Sequence, residues 1–315
     1  MPDVVTIGET MLRLSPPPGA SLEHAAEFSV RAAGTESNVA ITLCRLGTSA
    51  GWISRLVDNS LGRRVAAEIR AHGVDVSRVL WTAEARVGTY FVEPAISPRA
   101  ARVIYDRAHS AFAEIDPNEV DWAFVGAARH LHLTGITPSL SDRCRTLAGR
   151  AIAEARRAGI TISFDINYRA RLWPPADARK TLEEMLQGID VIFTTTEDAR
   201  TLFDAEGKAE DACGLLARRF RPRVAVVTDE GRCVSSHGDR VLTRDGYEVT
   251  PVDRIGAGDA FAGGFIHGWL AEDSIERGLE YGMAAAALKH TYHGDVAWIT
   301  LEDVRNLISG QPRWR

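Results

Sequence analysis

Short apolar runs at residues 4–7, 51–54, 130–134, 161–165, 191–194 and 224–228 read as strands, and the stretches between them carry a helical period. Val39, Leu43 and Leu46 fall at i, i+4 and i+7 before Gly47, and Leu147, Ala151 and Ala155 repeat the spacing before Gly159. Each glycine is placed to close its helix. Strands alternating with helices predict an α/β fold whose mostly parallel sheet is linked by crossover helices. In such a sheet the carboxyl ends of the strands line the ligand crevice, which makes Asp165, Thr194 and Thr228 candidates. Segments 11–33 and 86–110 break the rhythm with a period of two and no helix, so they predict an inserted sheet. Val103, Tyr105 and Arg107 share one face there, and Tyr90 lies on the face of Gly88 and Val92. Such a polar face suits either a solvated edge strand or a lid closing over a ligand. Pro16 to Pro18 form a rigid turn. The predicted division is a core of 1–10, 34–85 and 111–315 with a lid of 11–33 and 86–110.

Composition narrows the function. The 315 residues can enclose one large core, and a net charge of −5 offers no basic field for nucleic acid. Cys44, Cys144, Cys213 and Cys233 form no paired spacing, which predicts buried free thiols in a reducing compartment. Residues 1–9 read as a strand without a basic leader, and nowhere do about 18 apolar residues run together. A cytoplasmic protein that meets no membrane is the expectation.

Four clusters carry candidate chemistry. In DRIGAGDAF, residues 253–261, glycines precede a helix on which Phe261, Phe265 and Trp269 share a face. Gly256, Ala257 and Gly258 can aim backbone N–H groups at one point, where the helix adds roughly half a positive charge, a site suited to phosphate. Asp259 is either the N-cap or a base that accepts a proton from a substrate hydroxyl. In AGTESNVAITLCRL, residues 33–46, Gly34 is a turn glycine or a point of close approach, and Asn38 a cap or a ligand. FDINYRARLW, residues 164–173, follows a strand and holds Asp165, Asn167, Arg169 and Arg171, of which an arginine can pair with a carboxylate or phosphate or simply be surface charge. In TTTE, residues 194–197, Glu197 is a magnesium ligand or an ordinary acidic residue in a first turn. His130, His132, His290 and His293 show no metal-ligand spacing.

Taken in order, these motifs resemble the ribokinase (PfkB) carbohydrate kinases over essentially the whole chain. The resemblance implies a ribokinase-like three-layer α/β core with a β lid, ATP and magnesium as cofactors, Asp259 as base and Gly256 to Gly258 as anion hole. It also implies nucleotide contacts from Asn167, Thr196, Thr228, Gly231, Gly256 and Gly258, and magnesium at Glu197. A monovalent cation is a further cofactor within that pattern. GETMLRLSPP, VIYDRAHSA, LTGITPSLSD, DINYRARLW and VDRIGAGDAF are similar to the 2-keto-3-deoxygluconate kinase branch. Carried over, this makes Gly34, Asn38, Tyr90, Tyr105, Arg107, Arg169 and Asp295 contacts to a sugar acid phosphorylated at its 6-hydroxyl, in a homo-oligomer joined through the lid. Ala33 replaces the first glycine of the usual pair, Thr194 the usual asparagine, and Arg254 and Ile255 a common pair of threonines, while in segment 226–234 Gly231 stands alone. The alternatives are a fructokinase or 5-dehydro-2-deoxygluconate kinase of the same family, or a sugar-binding sensor without catalysis. A dinucleotide-dependent oxidoreductase is disfavoured because no GxGxxG follows the first strand.

Overall fold

The computed structural model describes residues 1–229, 231–238 and 240–310. Its strands are β1 (Val4–Ile7), β2 (Met11–Ser15), β3 (Ser29–Ala33), β4 (Ala50–Ile53), β5 (Arg55–Val57), β6 (Leu80–Thr82), β7 (Thr89–Glu93), β8 (Arg102–Asp106), β9 (His130–Thr134), β10 (Thr161–Asp165), β11 (Val191–Thr195), β12 (Val224–Asp229), β13 (Arg232–His237) and β14 (Arg240–Asp245). Eight form one sheet in the order β14-β13-β12-β11-β10-β9-β1-β4. The six strands from β12 to β4 run parallel, as the alternation of strand and helix predicts, and β13 and β14 extend the sheet antiparallel. A small parallel pair, β5 and β6, lies apart from it.

Because side chains alternate across a sheet, each strand feeds two cores. Val5, Ile7, Leu133, Phe164 and Val227 pack with Leu147, Leu182, Leu202 and Leu216 of the helices on one face. Val4, Trp52, Phe193 and Val226 pack with Val39, Leu43, Phe261 and Phe265 on the other. The three layers follow from that division. Phe261, Phe265 and Trp269 do share a face: Phe193 meets the first two edge-on at 6.1 and 5.2 Å, and Trp269 meets His130 at 5.7 Å. Burying a side chain the size of Phe193 contributes about 1.5–3 kcal/mol. The predicted glycine stops are present too, since Gly159 caps Asp142–Ala158 in the left-handed region and Gly47, at φ 94°, follows Thr35–Arg45. Of the four thiols, none is in a disulfide; Cys144, Cys213 and Cys233 are buried and Cys44 is half-buried.

Residues from 11–33 and 86–110 form a second sheet, β3-β2-β7-β8. Tyr90 and Tyr105 are register partners on β7 and β8, and their rings stack at 5.7 Å. The two faces read separately in the sequence are therefore one face of one sheet. Met11, Ala33, Tyr90 and Val92 bury this face against Val103 and Ile255, so it lies on the loop that leads into GAGD.

Candidate active site

Helix Ala257–Glu272 starts where the parallel strands end, with Gly256 at its N-cap at φ 86°. The N–H groups of its first turn have no intrahelical acceptor and concentrate positive potential. A side chain at Gly256 is excluded because its Cβ would lie 2.0 Å from the Asp295 carbonyl oxygen. Asp259, 6% exposed, sits in this turn without capping it, and its Oδ2 accepts from Asn38 Nδ2 at 2.7 Å. Asn38 is not a cap either, since Gly34 holds that position in its helix. The two candidates meet each other across two helices. Burial pushes the Asp259 carboxyl up to about 7, against the Asn38 hydrogen bond and with help from the charges of Asp165 and Asp295. Burial likewise raises Asp165 to about 7 and Asp198 to about 6.

The second sheet reaches the same turn through Arg13 of β2, which lies on the Met11 face and is 3% exposed. Its guanidinium donates to Asp253 Oδ2 at 2.7 Å and to Asp295 Oδ1 at 2.5 Å, while Tyr90 Oη donates to Asp295 Oδ2 at 2.6 Å. Asp295 and Tyr90 thus join the site as one hydrogen-bonded group, with Tyr105 stacked on Tyr90. Sequence reading missed Arg13 and Asp253. The available signal was an arginine on the inward face of a half-buried strand, which demands buried carboxylates. It also missed Glu36, 1% exposed, whose carboxylate accepts from the hydroxyls of Thr35, Thr134 and Thr137 at 2.6, 2.8 and 2.7 Å and fixes the start of the Asn38 helix.

The two arginines singled out for the substrate differ. Arg107 Nε donates to Glu9 Oε2 at 2.8 Å, with side chains 9% and 2% exposed, so its charge is already matched. Arg169 is exposed, and among the described residues its only hydrogen-bond partner is the Tyr168 carbonyl, at 3.0 Å. Arg171 donates to the Val103 carbonyl and ties the loop after β10 to the second sheet. Gly34 is in close contact with the chain at Glu9 and Thr10: a Cβ there would meet the Glu9 carbonyl at 2.1 Å.

A cavity of about 310 Å³ adjoins the glycine turn, lined by Thr228, Gly231, Gly246, Tyr247, Arg254, Ala257, Gly258, Phe261 and His290 among others. It lies within the usual range for small-ligand sites. Thr228, Gly231 and Gly258 are therefore together, whereas Asn167 and Thr196 are not in its lining. Asn167, at φ 39°, donates through Nδ2 to Asp165 Oδ2 at 2.9 Å, and its buried Oδ1 has no partner among the described residues. The Thr196 hydroxyl is also buried and, among the described residues, unpartnered. Segment 226–234 includes residue 230, which lies outside the described residues. Glu197 is exposed in the first turn of Thr196–Phe203, and among the described residues no group of three His, Cys, Asp or Glu side chains is placed to hold an ion.

Comparison with known proteins gives this arrangement a family. The pfkB family carbohydrate kinase profile matches residues 1–300. A 2-dehydro-3-deoxygalactonokinase of Haloferax volcanii is 42% identical over 98% of this chain and 97% of its own length. The crystal structure of 2-dehydro-3-deoxygluconokinase from Thermotoga maritima superposes with a TM-score of 0.92 at 34% identity, covering 98% of this chain and 99% of that one. A ribokinase II structure from E. coli with ATP and Mg²⁺ shares the fold, with a TM-score of 0.90 at 21% identity over 99% of this chain and 100% of that one. No described helix is long and apolar enough to cross a membrane. With a profile match over residues 1–300, a relative 42% identical over nearly its full length and a superposition at a TM-score of 0.92, the chain belongs to the PfkB family of carbohydrate kinases: it is a sugar kinase.

Proposed function

We propose that the chain transfers the γ-phosphoryl group of ATP to the 6-hydroxyl of a 2-keto-3-deoxy sugar acid of the gluconate or galactonate series. The observation that carries this is Asp259, buried, not capping its helix and held by Asn38 in the helix's first turn, where the N–H groups of residues 258 and 259 have no intrahelical acceptor. In this reading Asp259 accepts the hydroxyl proton while those N–H groups hold the transferring phosphoryl, stabilising charge as it develops. Magnesium and ATP supply the activated phosphoryl group. The cavity lined by Thr228, Gly231 and Gly258 fits the nucleotide at the turn. Among the described residues no three side chains cage an ion, so magnesium would rest mainly on phosphate oxygens, with Glu197 in support, directly or through water. The second sheet serves as the lid, with Gly34, Tyr90, Tyr105 and Asp295 holding the sugar.

The substrate class rests on Arg169 and on the names of the relatives. A carboxylate entering the crevice finds in Arg169 a guanidinium with donors to spare, whereas Arg107 is held by Glu9 and shapes the wall. Steady-state kinetics separate the two roles. Arg169→Ala should raise KM for the sugar acid at least tenfold with kcat little changed, as loss of uniform binding requires. Arg107→Ala should also lower Tm, because it strands the Glu9 carboxylate. An unchanged KM in Arg169→Ala removes it from carboxylate recognition. The edge strand β8 presents Ile104, 55% exposed, and Tyr105, and pairing of two lids there would form a dimer. Light scattering on Ile104→Glu should show a shift to monomer, and an unchanged mass would place any interface elsewhere.

A further inference from the structure

Lys289 is the one lysine among the fully buried side chains, 0% exposed near the end of Ile275–Lys289. No carboxylate meets its ammonium by hydrogen bond among the described residues. Instead Nζ donates to two backbone carbonyls, Asp253 O at 2.9 Å and Tyr292 O at 3.3 Å. These belong to the two loops that build the glycine turn. Asp253 begins the segment leading to Gly256, and Tyr292 precedes the segment in which Gly294 N–H donates to Asp253 Oδ2 at 3.1 Å and the Asp295 carbonyl packs on Gly256. Arg13 then joins the side chains of Asp253 and Asp295. Two cations, Arg13 and Lys289, and two carboxylates, Asp253 and Asp295, therefore form a balanced buried cluster in which, among the described residues, Arg13 donates to side-chain oxygens and Lys289 to backbone carbonyls. Burying an ammonium costs several kcal/mol, so apolar packing at this position would suit stability better.

We propose that the Lys289 ammonium is a built-in cation that locks the two loops together and holds the GAGD turn in phosphoryl-binding geometry, so that the wild-type enzyme needs no free monovalent cation at this place. Lys289 is a positioning residue, acting through the carbonyls of residues 253 and 292. The inference rests on the kinase reading for its kinetic consequence but not for its structural one.

Two variants test it: Lys289→Met, which keeps the volume and drops the charge, and Lys289→Ala, which leaves room for a small cation. Wild-type turnover should be flat when potassium or ammonium replaces a bulky organic cation. Lys289→Met should remain folded by its thermal melt, lose at least tenfold in kcat and resist rescue. Lys289→Ala should lose as much and recover at least threefold with ammonium, methylammonium or potassium, a response that a merely structural role would not give. Hydrogen exchange of the peptide spanning 253–259 should quicken in Lys289→Met while the β9 and β10 peptides stay protected, whatever sugar is used. If the wild type turns over no sugar, the kinase reading fails and the exchange result still decides the role of Lys289. Wild-type kcat in Lys289→Met, potassium dependence of the wild type, or unchanged exchange at 253–259 would overturn the proposal.

Discussion

Asp259→Asn is expected to lose on the order of a thousandfold in kcat while still binding the sugar, because the amide keeps the shape and cannot accept the proton. The same substitution should raise Tm at pH 8. An acid that is raised from 3.8 to about 7 in the fold holds its proton more tightly there than in the unfolded chain. Ionising it therefore costs folding free energy: the cost is absent below about pH 4, grows between there and about pH 7, and stays constant above. Asparagine is neutral throughout and can still accept from Asn38 Nδ2, so it escapes that cost. Because only the ionised carboxylate can serve as base, wild-type kcat/KM should fall tenfold per pH unit below about pH 7 and level off above it. Near wild-type turnover in Asp259→Asn would remove this group from the mechanism.

Gly256→Ala should be nearly as damaging for a different reason. At φ 86° an alanine pays roughly 1–3 kcal/mol in backbone strain, and its Cβ would lie 2.0 Å from the Asp295 carbonyl. Relief requires the 294–296 backbone to retreat, which pulls Asp295 from Arg13 and Tyr90 and opens the cluster. The expected result is a fall in Tm and at least a hundredfold loss of kcat. Gly258→Ala provides the contrast. A Cβ there meets nothing within 4 Å, so Tm should hold, yet the methyl would project where the cavity is lined and turnover should drop. Melting curves and initial rates on both variants check the pair, and equal effects on Tm would contradict the assignment of one glycine to the fold and the other to the ligand.

The parallel sheet was legible because its strands are short aliphatic runs buried on both faces and separated by helical periods. The antiparallel addition of β13 and β14 was not, since Arg232–His237 and Arg240–Asp245 mix polar and apolar residues and β14 is mostly exposed. The motif at 256–259 disclosed itself through glycines before a helix, a local signal. The choice between cap and base for Asp259 could not be made locally, because Asn38, its partner, lies 221 residues away. Register sets the same limit: Tyr90 and Tyr105 are placed on one face only by the pairing of β7 with β8. The pairing of Arg107 with Glu9 was not legible, because the two lie 98 residues apart and nothing near either residue announces the pair. Arg13 and Lys289 escaped notice for the complementary reason: long cationic side chains default to the surface, and only the assembled fold shows what buries them.

The central claim is most directly tested by following ADP release with magnesium and ATP against 2-keto-3-deoxygluconate, 2-keto-3-deoxygalactonate, gluconate, fructose and ribose, and locating the phosphate in the product by phosphorus NMR. The account predicts a preference for a keto-deoxy sugar acid and a 6-phosphate product. Preferred turnover of fructose or ribose would contradict the substrate assignment, and no phosphorylated product from any sugar, with binding intact, would contradict the catalytic one.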